Sequence, residues 1–305
     1  MSNPPAPTVS SNNTICFGDI AIFDLTGLPN AIINYTIDGG ATQTATLNGS
    51  GTFQISLPAL PAGTHTLLIT SITEPNAPYC TTNTNVSATV LVQPQLNAGL
   101  TATSSVCSGT AGSVIFTGTP NALVTYTVNG GTNQTITLNA SGSATLTTPL
   151  LTVNSTYQLV SVETTSAPLC TLAITDSATI LVTGLPSASI SGTATICSGN
   201  TSVVVFSGSP GATVTYTING GANQTIVLDA SGNASLTTPV LTANTTYALA
   251  SVATTCTNSV AGNAVISILS LPTATISANT TICSGTSTTI QFNGTPGVNR
   301  SRSPK

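Results

Sequence analysis

The stretch Val214–Pro239 reads VTYTINGGANQTIVLDASGNASLTTP. Val124–Pro149 repeats it nearly letter for letter as VTYTVNGGTNQTITLNASGSATLTTP, and Ile33–Pro58 carries a looser copy, INYTIDGGATQTATLNGSGTFQISLP. Inside each copy apolar and polar residues alternate with period two, the mark of a half-buried strand. Val, Ile, Thr and Tyr suit a pleated surface. The Asn-Gly or Asp-Gly step between the first two runs is a strong hairpin signal. The chain therefore writes the same β-hairpin unit three times.

Working outward, the motif ICSG or a variant opens each unit at Cys16, Cys107, Cys197 and Cys283, at intervals of 91, 90 and 86 residues. That period is too long for a solenoid and suits a small autonomous domain. Proline marks the joins near Pro94, Pro186 and Pro272. The expected organisation is repeat one over 1–94, repeat two over 95–185 and repeat three over 186–271. Residues 272–305 begin a fourth unit and then break into the unrelated VNRSRSPK.

In repeat three, SVVVFSG, ATVTYTI, QTIVL, NASLTTP, TTYALASV and NAVISIL read as successive strands. With the segment before the cysteine this gives seven or eight short strands, the spacing of a β-sandwich. No stretch shows a helical period. The predicted fold class is all-β, with tandem Ig-like β-sandwich domains in a linear array. Phe116, Phe206 and Phe292 each lie nine residues after their cysteine, with Leu25 in that place in repeat one, and Tyr35, Tyr126 and Tyr216 lie nineteen after. Such register predicts core packing. Tyr157 and Tyr247 head a late strand in the manner of the tyrosine corner, where the phenol bonds backbone upstream; Leu67 takes that place in repeat one.

Charged residues make up 3% of the 305, and residues 1–299 contain no Lys or Arg. Nucleic-acid binding needs cations to replace phosphate counterions, so this composition argues against it and no nucleic-acid partner is expected. The same ground argues against electrostatic docking on anionic membranes. No apolar run approaches the ~18 residues of a membrane span, so no membrane insertion is expected. The start, MSNPPAPTVSS, lacks the basic and apolar regions of a signal peptide. Seven cysteines at matching places nevertheless suit an oxidising compartment. Together these predict a segment of a longer secreted protein.

The segments ATICSGNTSVVVFSG and TYALASVATTC, the latter with its late cysteine, resemble the Ig-like and PKD-like repeats of large Bacteroidota secreted or surface proteins. These include SprB-type gliding-motility adhesins and related type IX secretion cargo. The resemblance covers almost the whole chain except the tail. It implies an extracellular, modular, non-enzymatic role.

Candidate chemistry is sparse. His65 is the only histidine, and its sequence match in repeat two is Thr156, so a catalytic role would have to be lost between near-copies. The cysteines lack Cys-x-x-Cys spacing, which disfavours zinc. Asp38 becomes Asn129 and Asn219, and Asp229 becomes Asn139 and Asn48. Asp/Asn exchange beside glycine suits turns, with a weak calcium site as the other reading. No cofactor is expected. Asp176–Ala178 reads DSA, a short O-glycosylation signal, which makes Ser177 the candidate acceptor.

The candidate disulfide cysteines are Cys16, Cys80, Cys107, Cys170, Cys197 and Cys256. Intervals inside the repeats are 64, 63 and 59 residues; across the joins they are 27 in every case. Pairing within each repeat is the favoured expectation, worth roughly 4 kcal/mol per bridge on the entropic model. Bridges across the joins are the alternative. A sandwich that holds the two cysteines at opposite poles would exceed the ~7 Å limit between Cα atoms.

The function expected is a non-catalytic structural or spacer segment of a repetitive extracellular adhesin or surface fibre. Its partners would be other domains of the same long surface protein, and glycans or surfaces through weak multivalent contact. A rod on the order of 120 Å is expected from strand length. The alternative is a carbohydrate-binding module array of a secreted hydrolase. Zero Trp and 4% aromatics speak against it.

Overall fold

The computed structural model describes residues 6–77, 79–278 and 281–297. The described residues form strands and turns without helix, as the period-two pattern predicts. They divide into two compact units between Val182 and Thr183.

Repeat one sets the pattern. Its strands are β1 (Thr8–Ser11), β2 (Thr14–Ile15), β3 (Ala21–Thr26), β4 (Ile32–Ile37), β5 (Gln43–Thr46), β6 (Thr52–Leu57), β7 (Gly63–Thr73) and β8 (Thr81–Val92). One sheet has the order β1-β3-β6, the other β2-β8-β7-β4-β5. The two sheets face each other across an apolar layer, the Ig-like sandwich. Alternation decides which residues enter that layer. In β4, Ile33 and Tyr35 are buried while Ile32 and Asn34 face outward. Repeats two and three use the same sheets, with β8 split into two pieces: Thr171–Ala173 with Ser177–Thr183, and Thr257–Ser259 with Asn263–Leu269.

Three core clusters follow the three repeats. Leu25, Phe116 and Phe206 are fully buried, as their common distance from the cysteine predicts. Phe116 stacks tilted on Tyr126 at 4.9 Å and Phe206 on Tyr216 at 5.0 Å. Ala274–Ser277 pairs with Gln291–Gly294 in a two-stranded ribbon whose residues are exposed; Phe292, expected in a core, is exposed with them because the described ribbon has no facing sheet to cover it. The tail Val298–Lys305, with all three basic residues, lies outside the described residues.

Two expectations need correction. Tyr157 and Tyr247 are buried but lean on Tyr126 and Tyr216, with ring centroids 6.4 and 6.3 Å apart. Among the described residues no phenol-to-backbone bond is found for either, so these tyrosines fill the core and do not pin a corner. The second concerns His65. Leu67 stands opposite Ile37 and Tyr157 opposite Val128, which makes Ser155, not Thr156, the counterpart of His65. One extra residue in the turn after Leu60, relative to the turn after Leu151, shifts the alignment.

One strand relation positions the cysteines. Strand β2 runs parallel to β8, with Ile15 opposite Val92. Cys16 therefore sits beside the end of β8, where the amide of Gln93 donates to Ile15 O at 2.9 Å. Cys80 immediately precedes the start of β8. The 12-residue strand between them spans about 35–40 Å.

Candidate functional site

Cys16 is bonded to Cys170, with Cα atoms 5.5 Å apart and a sequence separation of 154. The bridge crosses the join of repeats one and two. It is neither the within-repeat pairing nor the 27-residue pairing across a join. Sheet topology gives the reason. The first cysteine of a repeat lies at the trailing end of its sandwich, beside the last residues of the final strand. The second lies at the leading end, in the hairpin that opens that strand. Within repeat one the two are a strand length apart, far beyond disulfide reach. At the join, the trailing end of repeat one meets the leading end of repeat two, and the cysteines coincide. Cys16 packs on the core of repeat two, and the small cleft around the bridge is lined by Phe17, Pro94, Leu96 and Leu172.

Both halves of the joint are built the same way in every repeat. The first cysteine opens a tight turn: the amides of Asp19, Thr110, Asn200 and Thr286 donate to the carbonyls of Cys16, Cys107, Cys197 and Cys283 at 3.1, 3.0, 3.3 and 3.1 Å. The turn needs a left-handed residue two places after the cysteine. Gly18, Gly109, Gly199 and Gly285 supply it at φ of 90, 81, 91 and 87°. The second cysteine closes a hairpin: the amides of Glu74, Thr164 and Thr254 donate to the carbonyls of Cys80, Cys170 and Cys256 at 3.0, 2.9 and 2.9 Å. Cys107 and Cys256 are disulfide-bonded as well. Among the described residues Cys80, Cys197 and Cys283 are free. The expectation that Cys80 and Cys197 are bridged within their repeats is thereby corrected.

The recurring Asp/Asn positions resolve into turns. Asn129, at φ 51°, and Gly130, at φ 69°, form the primed hairpin turn. The Asn129 side-chain oxygen accepts the amide of Thr156 at 2.8 Å, and Asn219 does the same for Thr246. Asn48, Asn139 and Asp229 each accept two backbone amides, from residues two and four further on, at 2.8–3.0 Å. Backbone amides thus hold Oδ1 in each of these turns, which supports the turn reading.

Repeat one alone makes the first of these turns ionic. Asp38 Oδ1 accepts the amide of Thr66 at 2.7 Å, and Oδ2 accepts His65 Nδ1–H at 2.8 Å. His65 Nε2 faces the carbonyl of Pro61 at 2.9 Å. Both ring nitrogens meet acceptors, and only the imidazolium donates from both. The bond to Asp38, then that to Pro61, raises the His65 pKa above its ordinary value against the opposing effect of burial. Burial alone would raise Asp38, but its bonds from His65 and Thr66 prevail and hold it below the usual carboxylate range. Ser155 and Thr245 take the place of His65 elsewhere, so the pair is a local variant of a structural turn.

Ser177 opens its strand at an exposed position, with its amide donating to Asp176 Oδ1 at 2.9 Å. A cleft of about 300 Å³ in repeat two is lined by Val128, Gln134, Leu146, Pro149, Leu151, Ser155 and Tyr157, and carries no charged group. Sequence reasoning missed the Cys16–Cys170 pairing. The signal that finds it is the parallel placement of the first short strand beside the last, which sends the two cysteines to opposite ends.

No family model matches the chain. No curated protein matches it. Among solved structures it is similar to the Ca2+-stabilised adhesin that helps an Antarctic bacterium reach out and bind ice, with 18% identity over 91% of this chain and 78% of that one, and a TM-score of 0.42. It is also similar to the D1–D4 ectodomain fragment of ICAM-5, with 13% identity, 90% and 80% coverage and a TM-score of 0.40. A marsupial T cell receptor gives 12% identity, 84% and 98% coverage and a TM-score of 0.40. At these values the fold rests on the strand pairing itself and not on the likenesses.

Proposed function

We propose that this chain is a non-catalytic spacer segment of a repetitive extracellular adhesin or surface fibre, of the kind its motifs resemble among type IX secretion cargo. The observation that carries the reading is the Cys16–Cys170 bridge. A bridge of this kind persists in an oxidising compartment, which supports an extracellular location. Its position supports a mechanical role. Tension entering before Cys16 passes through the sulfur bridge to Cys170 and bypasses the loop between them, a sequence separation of 154. Partners are the neighbouring domains of the same surface protein, with glycans or surfaces met through weak multivalent contact.

The carbohydrate-binding alternative loses support. It needs recurring exposed aromatic platforms, and the recurring aromatics of the three full repeats are core. The exposed Phe17, Phe53 and Tyr79 have Ser108, Ala144 and Leu169 as their counterparts in repeat two.

Single-molecule stretching of the whole chain tests the reading. An extended chain covers at most ~3.3–3.6 Å per residue, so the loop closed by Cys16–Cys170 hides about 500 Å. Reductant should lengthen the fully unfolded chain by at least about that amount. Equal contour lengths with and without reductant would refute load bypass.

A further inference from the structure

Each joint needs a trailing-end cysteine from one repeat and a leading-end cysteine from the next. In Cys16–Cys170 both halves are present. Cys80 and Cys197 are halves of the same device. Cys80 sits in repeat one's equivalent of the hairpin that holds Cys170 in repeat two, closed by the corresponding amide-to-carbonyl bond, 3.0 Å against 2.9 Å. Cys197 sits in repeat three's equivalent of the turn that holds Cys16, with its strand again parallel to the last strand and Cys197 itself opposite Leu269. Cys197 is exposed and Cys80 half-buried, and both are free among the described residues. The leading-end placement recurs in repeat three, where Cys256 Sγ lies 4.0 Å from Thr183 O, at the linker before the repeat. The ribbon after repeat three has exposed faces.

We propose that Cys80 and Cys197 are the two open halves of a head-to-tail covalent joint, and that their partner is a second copy of this chain. In the copy-to-copy joint, Cys197 of one molecule bonds Cys80 of the next. Such a contact is heterologous, so each added copy leaves one Cys80 and one Cys197 open for the next. The chemistry is thiol–disulfide exchange with a small-molecule disulfide. The Cys197 thiolate attacks one sulfur of that disulfide, forms the mixed disulfide and expels one thiolate. The Cys80 thiolate of the next molecule then attacks the Cys197 sulfur and expels the second. Two protein thiols become one disulfide and one small disulfide becomes two small thiols. The inference rests on the spacer reading only through the joint geometry.

The test uses the full chain with Cys283→Ser, which removes the free cysteine of the ribbon. Two further variants carry Cys80→Ser or Cys197→Ser. Each is held in glutathione redox buffer at high protein concentration, alone and mixed one to one. The expected result is monomer from each alone and a disulfide-linked dimer from the mixture, with Cys80 and Cys197 in one cross-linked peptide. Dimers from either variant alone in equal yield would overturn the proposal, as would a mixture that stays monomeric. Non-reducing peptide mapping of the same samples keeps the two readings apart. A monomeric mixture with Cys16–Cys170 intact refutes only the open joint, whereas loss of Cys16–Cys170 refutes the spacer mechanism as well.

Discussion

Substituting Gly142 by alanine should damage repeat two far more than the same change at Gly130. Both glycines are left-handed, at φ 74 and 69°. An alanine held there costs roughly 1 kcal/mol from backbone strain alone. A Cβ at Gly130 meets nothing within 4 Å, so strain is the whole effect. A Cβ at Gly142 falls 2.1 Å from the carbonyl oxygen of Gly118. The two segments must part by about 1 Å to reach ordinary contact. That displaces the Gly118 amide from Gly142 O, a 2.9 Å bond worth about 1 kcal/mol net. It also loosens the packing beneath, for a total of about 3 kcal/mol. The difference of about 2 kcal/mol corresponds to roughly a 30-fold change in local opening. Hydrogen exchange read by mass spectrometry on peptides covering residues 113–147 measures it. Equal exchange in the two variants would refute the backbone-contact argument. It would refute it for Gly51 and Gly232 too, whose Cβ positions lie 2.2 Å from the carbonyls of Gly27 and Gly208.

His65, the only histidine, should titrate above about 6.5 by NMR. Its bond to Asp38 stabilises fully below the unfolded histidine value and is lost as pH rises through the raised folded one. On the acid side the contribution is lost as pH falls below about 3.9 through the lowered Asp38 value. Asp38 is half exposed, so the pair contributes about 0.5–1 kcal/mol between these limits. Asp38→Asn should flatten both limbs in pH-dependent denaturation; an unchanged profile contradicts the pairing. Ser177, exposed behind Asp176, should carry a glycan in material from a host that glycosylates the DSA signal, and a bare intact mass from such a host contradicts that assignment.

The strands were legible because burial alternates with period two and the same hairpin is written three times. The tilted Phe–Tyr pairs were legible because their distance from the cysteine is fixed. Asn48, Asn139 and Asp229 were legible as turns because both side-chain types bond local amides. The disulfide was not legible from spacing. Cysteine intervals measure chain length, while pairing depends on which end of the sandwich each cysteine occupies. That is set by the parallel pairing of Thr14–Ile15 with Leu91–Val92, a contact between residues some 77 apart in sequence. The constant 27-residue interval is the length of last strand, linker and first strand together. It joins cysteines at the far ends of adjacent repeats, not at their junction. His65 was misaligned because one inserted residue in a turn leaves no mark on the strand pattern.

The most direct test is non-reducing peptide mapping of the oxidised chain, alkylated before digestion with a non-tryptic protease. The account predicts a peptide pair joining Cys16 to Cys170. A pair joining Cys16 to Cys80, or a Cys16 that reacts as a free thiol, would contradict it.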